Sequence, residues 1–352
     1  MHRTTLTADE IREIDGLLSE LCGRYDSVED PEFLRESHLY AHDLPRRIRR
    51  ELLAFRNLEP TEGLFVLSGW PVDEGRIGLT PERWDRRTSS PPTLREEILF
   101  VLATSVVGTP IAWATQQNGF LMHDILPIQG LENEQLGFSS EELLWWHTED
   151  AFHPFRGDYI AMMCMRNPDR VPTTVCSLRN IELDENQIRL LMEPIFPITP
   201  DESHLPKNQG EGRELDEELQ ASYANIEDQF TEPEKIPVLF GDPNQPYVRL
   251  DPYFMKPVEG NPEAQAAFDT LTRAIDENLE DVVLEAGDIC LVDNFRAVHG
   301  RKPFKARYDG RDRWLKRLNV VRDLRKSRSA RGSSDSRVIL ESRVGFGAEA
   351  LA

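Results

Sequence analysis

The spacing of apolar residues changes its period part-way along the chain. Up to about residue 107 it is helical. Thr7-Ala8-Asp9-Glu10 has the form of a capping box, and Ile11, Ile14, Leu17, Leu18 and Leu21 follow at intervals of three and four, so the chain opens with an amphipathic helix. A second helix is predicted over residues 46–56, just after Pro45, with Ile48, Leu52, Leu53 and Phe55 turned inward. Residues 93–107 continue the helical pattern, with short apolar runs at 64–67 and 111–114 on either side. Beyond Leu143 strand signals dominate, at 144–149, 159–165, 173–177, 237–240, 247–250, 282–284, 289–293 and 315–321, and one helix, 262–279, separates the later ones.

These strands are short, and Gly, Pro, Asn or Asp stand near most of their ends. That pattern predicts a mainly β fold with flanking helices, a double-stranded β-helix of the distorted, cupin-like jelly-roll type, whose mouth can hold a ligand. Glu285-Ala286-Gly287-Asp288 reads as a tight turn between two strands leading toward His299. Residues 199–237 break the pattern, being polar, acidic and poor in strand signal; such an insertion is a functional lid or a disordered segment, and a lid is the reading taken. Residues 326–352, rich in Ser, Arg and Gly at first, read as a mobile tail. One domain is expected over 1–325, helical up to about residue 108 and interrupted by the lid.

Charge narrows the partners. Lys+Arg 41 against Asp+Glu 62 gives a net charge of -21, which repels nucleic acid and anionic membranes and favours small or cationic ligands. Cys22, Cys164, Cys176 and Cys290 form no CxxC pair, so they read as reduced core thiols. No signal peptide and no apolar run of membrane-spanning length is apparent, and a cytosolic protein is expected. Oligomeric state is not encoded in any of these features.

His147-Thr148-Glu149, answered by His299 some 150 residues later, carries the chemistry. Residues i and i+2 of a strand share a face, so His147 and Glu149 can converge on one cation, and a second imidazole from another strand completes the set. Two histidines and a carboxylate are the ligands of non-haem Fe(II) oxygenases, which leave coordination positions open. An isolated H-x-E is weak, since both residues can share a solvated face. The surroundings add specificity: Leu291-Val292-Asp293-Asn294-Phe295-Arg296-Ala297-Val298-His299-Gly300-Arg301, with Arg313-Trp314-Leu315 following His299 by 14 residues.

Three stretches, Trp146-His147-Thr148-Glu149-Asp150-Ala151-Phe152, Arg166-Asn167-Pro168-Asp169 and His299-Gly300-Arg301-Lys302-Pro303-Phe304 running on to Arg313-Trp314-Leu315, make the chain resemble the Fe(II)/2-oxoglutarate-dependent oxygenases. Within them it resembles the clavaminate-synthase-like amino-acid β-hydroxylases of bacterial peptide-antibiotic biosynthesis, including the arginine and enduracididine hydroxylases, over residues 8–326. The resemblance implies Fe(II) on His147, Glu149 and His299, with 2-oxoglutarate and O2 as co-substrates and succinate and carbon dioxide as co-products. It places Arg313 on the distal carboxylate of 2-oxoglutarate, where a planar guanidinium gives two parallel charge-assisted bonds. Thr174, beside Thr173, matches the hydroxyl that also contacts the co-substrate; either threonine could serve. Glu149 is typical of this branch, and a carboxylate there argues against halogenation.

The same resemblance implies a free L-amino acid hydroxylated at Cβ. Arg317 matches the arginine on the substrate carboxylate, sharing a strand face with Arg313 at i+4. Gln116 matches the glutamine at the amino and carboxylate end, and Glu149 is expected to accept from the amino group while binding iron. For the side chain, Asp251 and Tyr253 stand where arginine hydroxylases can place two acids. One acid and one ring suit a guanidinium, a cyclic guanidine or an ammonium. The bland alternative has Asp251 capping a turn and Tyr253 filling the core. Arginine ranks first, cyclic derivatives of the enduracididine or capreomycidine type second, lysine or a neutral amino acid third. His153 is read as a loop residue, Trp145 and Trp146 as packing. Desaturation after the same hydrogen abstraction is the nearer alternative, and a non-catalytic cupin-like binding protein the more distant one.

Overall fold

The computed structural model describes residues 2–345 apart from Thr61 and Gly212. The fold is mixed α/β. Its larger sheet has eight strands, in the order His2–Thr5, Leu64–Ser68, Ile289–Asp293, Tyr159–Arg166, Trp314–Val321, Thr109–Trp113 and Val338–Ile339, with His123–Ile125 also on Trp314–Val321. The smaller runs Glu280–Val282, Thr173–Ser177, Ala297–Arg301, Leu144–His147. Pairing is antiparallel except at His2–Thr5 with Leu64–Ser68 and at Val338–Ile339 with Thr109–Trp113.

Alternation along the smaller sheet decides what each face does. Trp146, Cys176 and Val298 turn outward into an apolar cluster with Ala264, Ala267, Leu271 and Ile275 of the helix Pro262–Glu277. Trp145, His147, Thr173, His299 and Arg301, one residue out of phase, line a pocket toward Met162, Leu315 and Arg317 of the larger sheet. The N-terminal helices pack on the larger sheet. Ala8–Cys22 begins with the predicted capping box, Thr7 N donating to Glu10 Oε2 at 2.8 Å and Glu10 N to Thr7 Oγ1 at 3.3 Å. Leu94–Val107 is buried nearly all round, as a central helix must be to tolerate its apolar sequence. Gly287 makes the expected turn: φ is 89° and a Cβ would sit 1.8 Å from Trp70 O.

Several expectations need correction. Leu53 is 39 % exposed rather than turned inward. Residues 199–237 are not strand-poor loop throughout. Glu234–Ile236 pairs with Phe196–Ile198 at the base, and Glu217–Thr231 is a helix capped by Asp216 that buries Leu219, Tyr223 and Ile226. Residues 326–345 are not a free tail: Val338–Ile339 adds a strand beside Ala112 and Trp113, and Ile339 and Glu341 are fully buried. The Ser and Arg content hid this, because Arg331 spends its guanidinium on the carbonyls of Leu324, Ser333, Ser334 and Ser336, folding the polar stretch onto itself. Residues 346–352 lie outside the described residues.

Candidate active site

Strand pairing brings the two histidines together. His299 lies directly opposite His147 in the antiparallel ladder, with ring centroids 4.7 Å apart, and cross-strand partners share a face. Gly300 beside them permits this approach, since a Cβ there would lie 2.7 Å from Leu144 O and 3.0 Å from Thr174 Oγ1. Glu149 lies beyond the end of its strand, which stops at His147, and its aim depends on anchors. Thr148 N donates to Leu250 O at 2.9 Å, and Glu149 N donates to Asn294 Oδ1 at 2.7 Å. Asn294 Nδ2 returns bonds to Glu149 O at 3.0 Å and Gly157 O at 2.9 Å. Asn294 was missed as a functional residue, although it sits in the stretch leading to His299.

The carboxylate thereby meets both rings: Glu149 Oε2 is 3.5 Å from His147 Nε2 and 3.3 Å from His299 Nε2. His147 Nδ1 lies 2.7 Å from Trp145 O; a carbonyl only accepts, so Nδ1 holds the proton and Nε2 is free to ligate. All three ligand atoms lie within 4.8 Å of one another. Burial opposes the Glu149 charge, yet Arg317 and the two histidines outweigh it and hold the carboxyl well below the usual range. Burial also opposes charge on His147, but Glu149 and Asp251 prevail and hold it up at about 9; burial pulls His299 down. Two imidazoles and one carboxylate aimed at one point fit Fe(II) with positions left open.

Arg313 is buried, and its one hydrogen bond is a 3.3 Å contact from Nη2 to Thr173 Oγ1; burial draws it down to about 10, and among the described residues no carboxylate pairs with it. A buried cation without an anion calls for one, and this orphaned guanidinium fits the distal carboxylate of 2-oxoglutarate. Of the two threonines, Thr173 is the one that meets Arg313 and lines the pocket. Period-two alternation puts Thr173 in the pocket, while Thr174 stands beside the backbone of Gly300 on the other face. Arg301, also missed, adds a second buried guanidinium to the pocket lining; it holds Ser139 Oγ at 2.9 Å and Glu142 O at 3.0 Å, and burial and Arg313 draw it down to about 9.

Arg317 is no surface cation. It donates to Glu149 Oε1 at 2.5 Å, Gln116 Oε1 at 3.1 Å and His123 Nδ1 at 2.9 Å. The Glu149 oxygen expected to receive the substrate amino group is therefore engaged by Arg317. His123 went unnoticed in the sequence. It faces Arg317 across the strand ladder, donates from Nε2 to Phe120 O at 3.0 Å, and is kept neutral by burial and by Arg317. Gln116 also donates to Ser203 Oγ at 2.6 Å, whereas Gln117 is spent on the Asp124 backbone.

Asp251 and Tyr253 line the same pocket, with Trp145, Asp201 and Ser203. Burial first, then Asp201, push the Asp251 carboxyl up to about 6, against His147. Asp251 does accept from Tyr253 N at 3.1 Å, so it caps its turn as well as facing the pocket. Tyr253 does not fill the core, being 52 % exposed, and Trp145 is 39 % exposed at the mouth. Trp146 packs as expected, donating to Asp276 Oδ1 at 2.6 Å. His153 is a turn residue but fully buried, its ring 4.2 Å from that of Trp113.

A second cluster lies behind the pocket. His204 Nε2 is 3.1 Å from Asp150 Oδ1 and 3.8 Å from Asp201 Oδ2, and its Nδ1 is 3.8 Å from Glu341 Oε1. Burial opposes the His204 charge, but these acids hold it up at about 10. Both ring nitrogens are already engaged, Nε2 by Asp150 at 3.1 Å and Nδ1 by the Thr115 hydroxyl at 2.8 Å, so this is an ion-pair hub.

Comparison with known proteins agrees with this geometry. The model of the family "Taurine catabolism dioxygenase TauD, TfdA family" matches residues 115–319. An enduracididine beta-hydroxylase of Streptomyces hygroscopicus is 48 % identical over 339 residues, 95 % of this chain and 98 % of that one. An L-ornithine/L-arginine 3-hydroxylase of Catenulispora acidiphila is 45 % identical over 343 residues, 96 % and 100 % of the two chains. The crystal structure of the non-heme iron oxygenase OrfP with Fe, succinate and (3S)-hydroxy-L-Arg superposes with a TM-score of 0.90 at 42 % identity, covering 96 % of this chain and all of that one. The iron triad, the orphaned Arg313 and these matches together make the chain a member of the TauD/TfdA family, a non-haem dioxygenase dependent on Fe(II) and 2-oxoglutarate.

Proposed function

We propose that this enzyme hydroxylates a free L-amino acid at Cβ, with arginine or a cyclic arginine derivative of the enduracididine or capreomycidine type as substrate. The observation that carries the reading is the charge lining the pocket: Arg313 and Arg317 from the larger sheet, and the neighbouring carboxylates Asp201 and Asp251 from outside the strands. Arg317 receives the α-carboxylate, with Gln116 orienting it, and Asp251 pairs with the cationic side chain while Tyr253 presents its ring. Arg317 bonds directly to the iron ligand Glu149, so the α end of the substrate is held beside the metal and Cβ is the first side-chain carbon in reach. Bound iron, 2-oxoglutarate and O2 together supply the oxidant that takes a hydrogen atom from an unactivated C–H bond. The chain orders the substrate and keeps water out. Residues 199–237 act as the lid over a jelly-roll mouth, within one domain that takes in residues 326–345 as well, and Asp201 and Ser203 are its contact points. Four cysteines free of disulfides fit a cytosolic setting.

The test is a panel of arginine, a cyclic guanidine amino acid, lysine and norleucine with Fe(II) and 2-oxoglutarate, reading succinate and product mass. Gain of one oxygen on a guanidine substrate, with kcat/KM above lysine and norleucine, is expected. Preference for norleucine would remove Asp251 from recognition, and loss of two hydrogens would make the reaction a desaturation.

A further inference from the structure

The segment after Leu324 reaches the active site from behind. Glu341, fully buried, accepts from Thr115 Oγ1 at 2.5 Å and from Thr115 N at 3.4 Å. The Thr115 hydroxyl stands 2.8 Å from His204 Nδ1, and the other side of that ring holds Asp150 at 3.1 Å. Beyond Glu341, each residue in this chain of contacts adjoins one that lines the pocket. Thr115 precedes Gln116, His204 follows Ser203, and Asp150 follows Glu149. Asp150 also carries a φ of 49°, a left-handed conformation that its partners must hold. Its second oxygen accepts from Trp113 Nε1 at 2.6 Å, so the carboxylate is fully committed to the network.

We infer that Glu341, acting through Thr115 and His204, is a positioning residue for the pocket wall formed by Asp201 and Ser203, and that the C-terminal segment is therefore part of the substrate-binding machinery. The inference rests on the reading of that wall as a lid contact. Burial makes the hub cooperative: removing one charge leaves the others without compensation in a site closed to water. The segment is also fastened from outside the hub, where Asn225 Nδ2 donates to Val344 O at 3.2 Å and Ser342 N to Ser222 Oγ at 3.1 Å on the helix Glu217–Thr231. These contacts keep Glu341 in place while its side chain alone is altered.

Hydrogen exchange on the metal-free protein, joined to steady-state kinetics, tests this. Glu341→Gln keeps the shape and removes the charge; Thr115→Val removes only the hydroxyl link and decides the matter if the first variant does not fold. Arg343→Ala is the control, because it deletes contacts of the segment with Glu218 and with Arg331 O without touching the hub. Faster exchange over residues 200–209 is expected in both hub variants, with Ala8–Cys22 unchanged. The amino-acid KM should rise about tenfold, the scale of one charge-assisted contact, and the 2-oxoglutarate KM should stay within about twofold. Unchanged exchange, a parallel rise of both KM values, or the same effect from Arg343→Ala would overturn the inference. Kinetics use whichever amino acid the unaltered chain hydroxylates, so a wrong substrate changes the panel and not the exchange result.

Discussion

His147 and His299 face each other within a strand ladder, whereas Asp251, Tyr253 and Asp201 stand on loops and turns and Ser203 on the short 3-10 helix Glu202–His204, all outside any strand. The first arrangement is fixed by the backbone ladder, His299 on a strand paired on both sides and His147 on the edge strand beside it. The second is fixed by a few side-chain contacts, such as Gln116 to Ser203 and Asp251 to the Tyr253 N–H. A metal site tolerates little displacement of its ligands, so the ladder suits it. A side-chain pocket gains from turns that can change without disturbing the sheet. Iron chemistry is thus held by the sheet, and substrate choice is left to the loops.

Substitutions can break that division in order of severity. His299→Ala should reduce succinate formation to background while the protein still melts cooperatively; turnover near the unaltered level would remove His299 from the metal. Arg313→Ala should raise the 2-oxoglutarate KM roughly a hundredfold, the scale of breaking a buried charge pair, with the amino-acid KM little changed. Asp251→Asn should raise the arginine KM about tenfold or more and leave norleucine alone; equal losses on both would make Asp251 a turn cap only. Its titration sharpens the point. Asp251 in the free protein loses its proton near pH 6, so it is charged above that value and neutral below it. kcat/KM for a cationic amino acid should fall as pH drops through about 6, and the acid limb should vanish in Asp251→Asn. Tyr253→Leu should cost only about two- to fivefold on guanidine substrates, as an exposed ring over a cation contributes little.

What could be read from the residues follows the same division. The ladder half was legible because H-x-E and the strands at 173–177 and 289–293, which match Thr173–Ser177 and Ile289–Asp293, are local signals, and because the stretches holding His299 and Arg313 carry the family resemblance. Strand alternation puts Thr173 rather than Thr174 in the pocket lining, a difference that shows only once the pocket-facing side of the strand is known. Asn294, His123 and Arg301 went unremarked because each works through a partner more than 140 residues away in sequence. The hub around His204 was invisible for the same reason. Its members lie at positions 115, 150, 204 and 341, and the Ser- and Arg-rich stretch before Glu341 carries a composition that usually stays in solvent. The helix Glu217–Thr231 escaped because its buried positions, Leu219, Tyr223 and Ile226, are sparse among acids.

The most direct test of a guanidine-selecting hydroxylase is the coupling of its two half-reactions. The protein would be loaded anaerobically with Fe(II), 2-oxoglutarate and arginine or a cyclic derivative, then given oxygen, with succinate, product mass and the position of the new hydroxyl read on the same sample. One succinate per amino acid hydroxylated at Cβ is the predicted result. Succinate formed in excess over any modified guanidine amino acid, or a hydroxyl placed elsewhere on the chain, would contradict it.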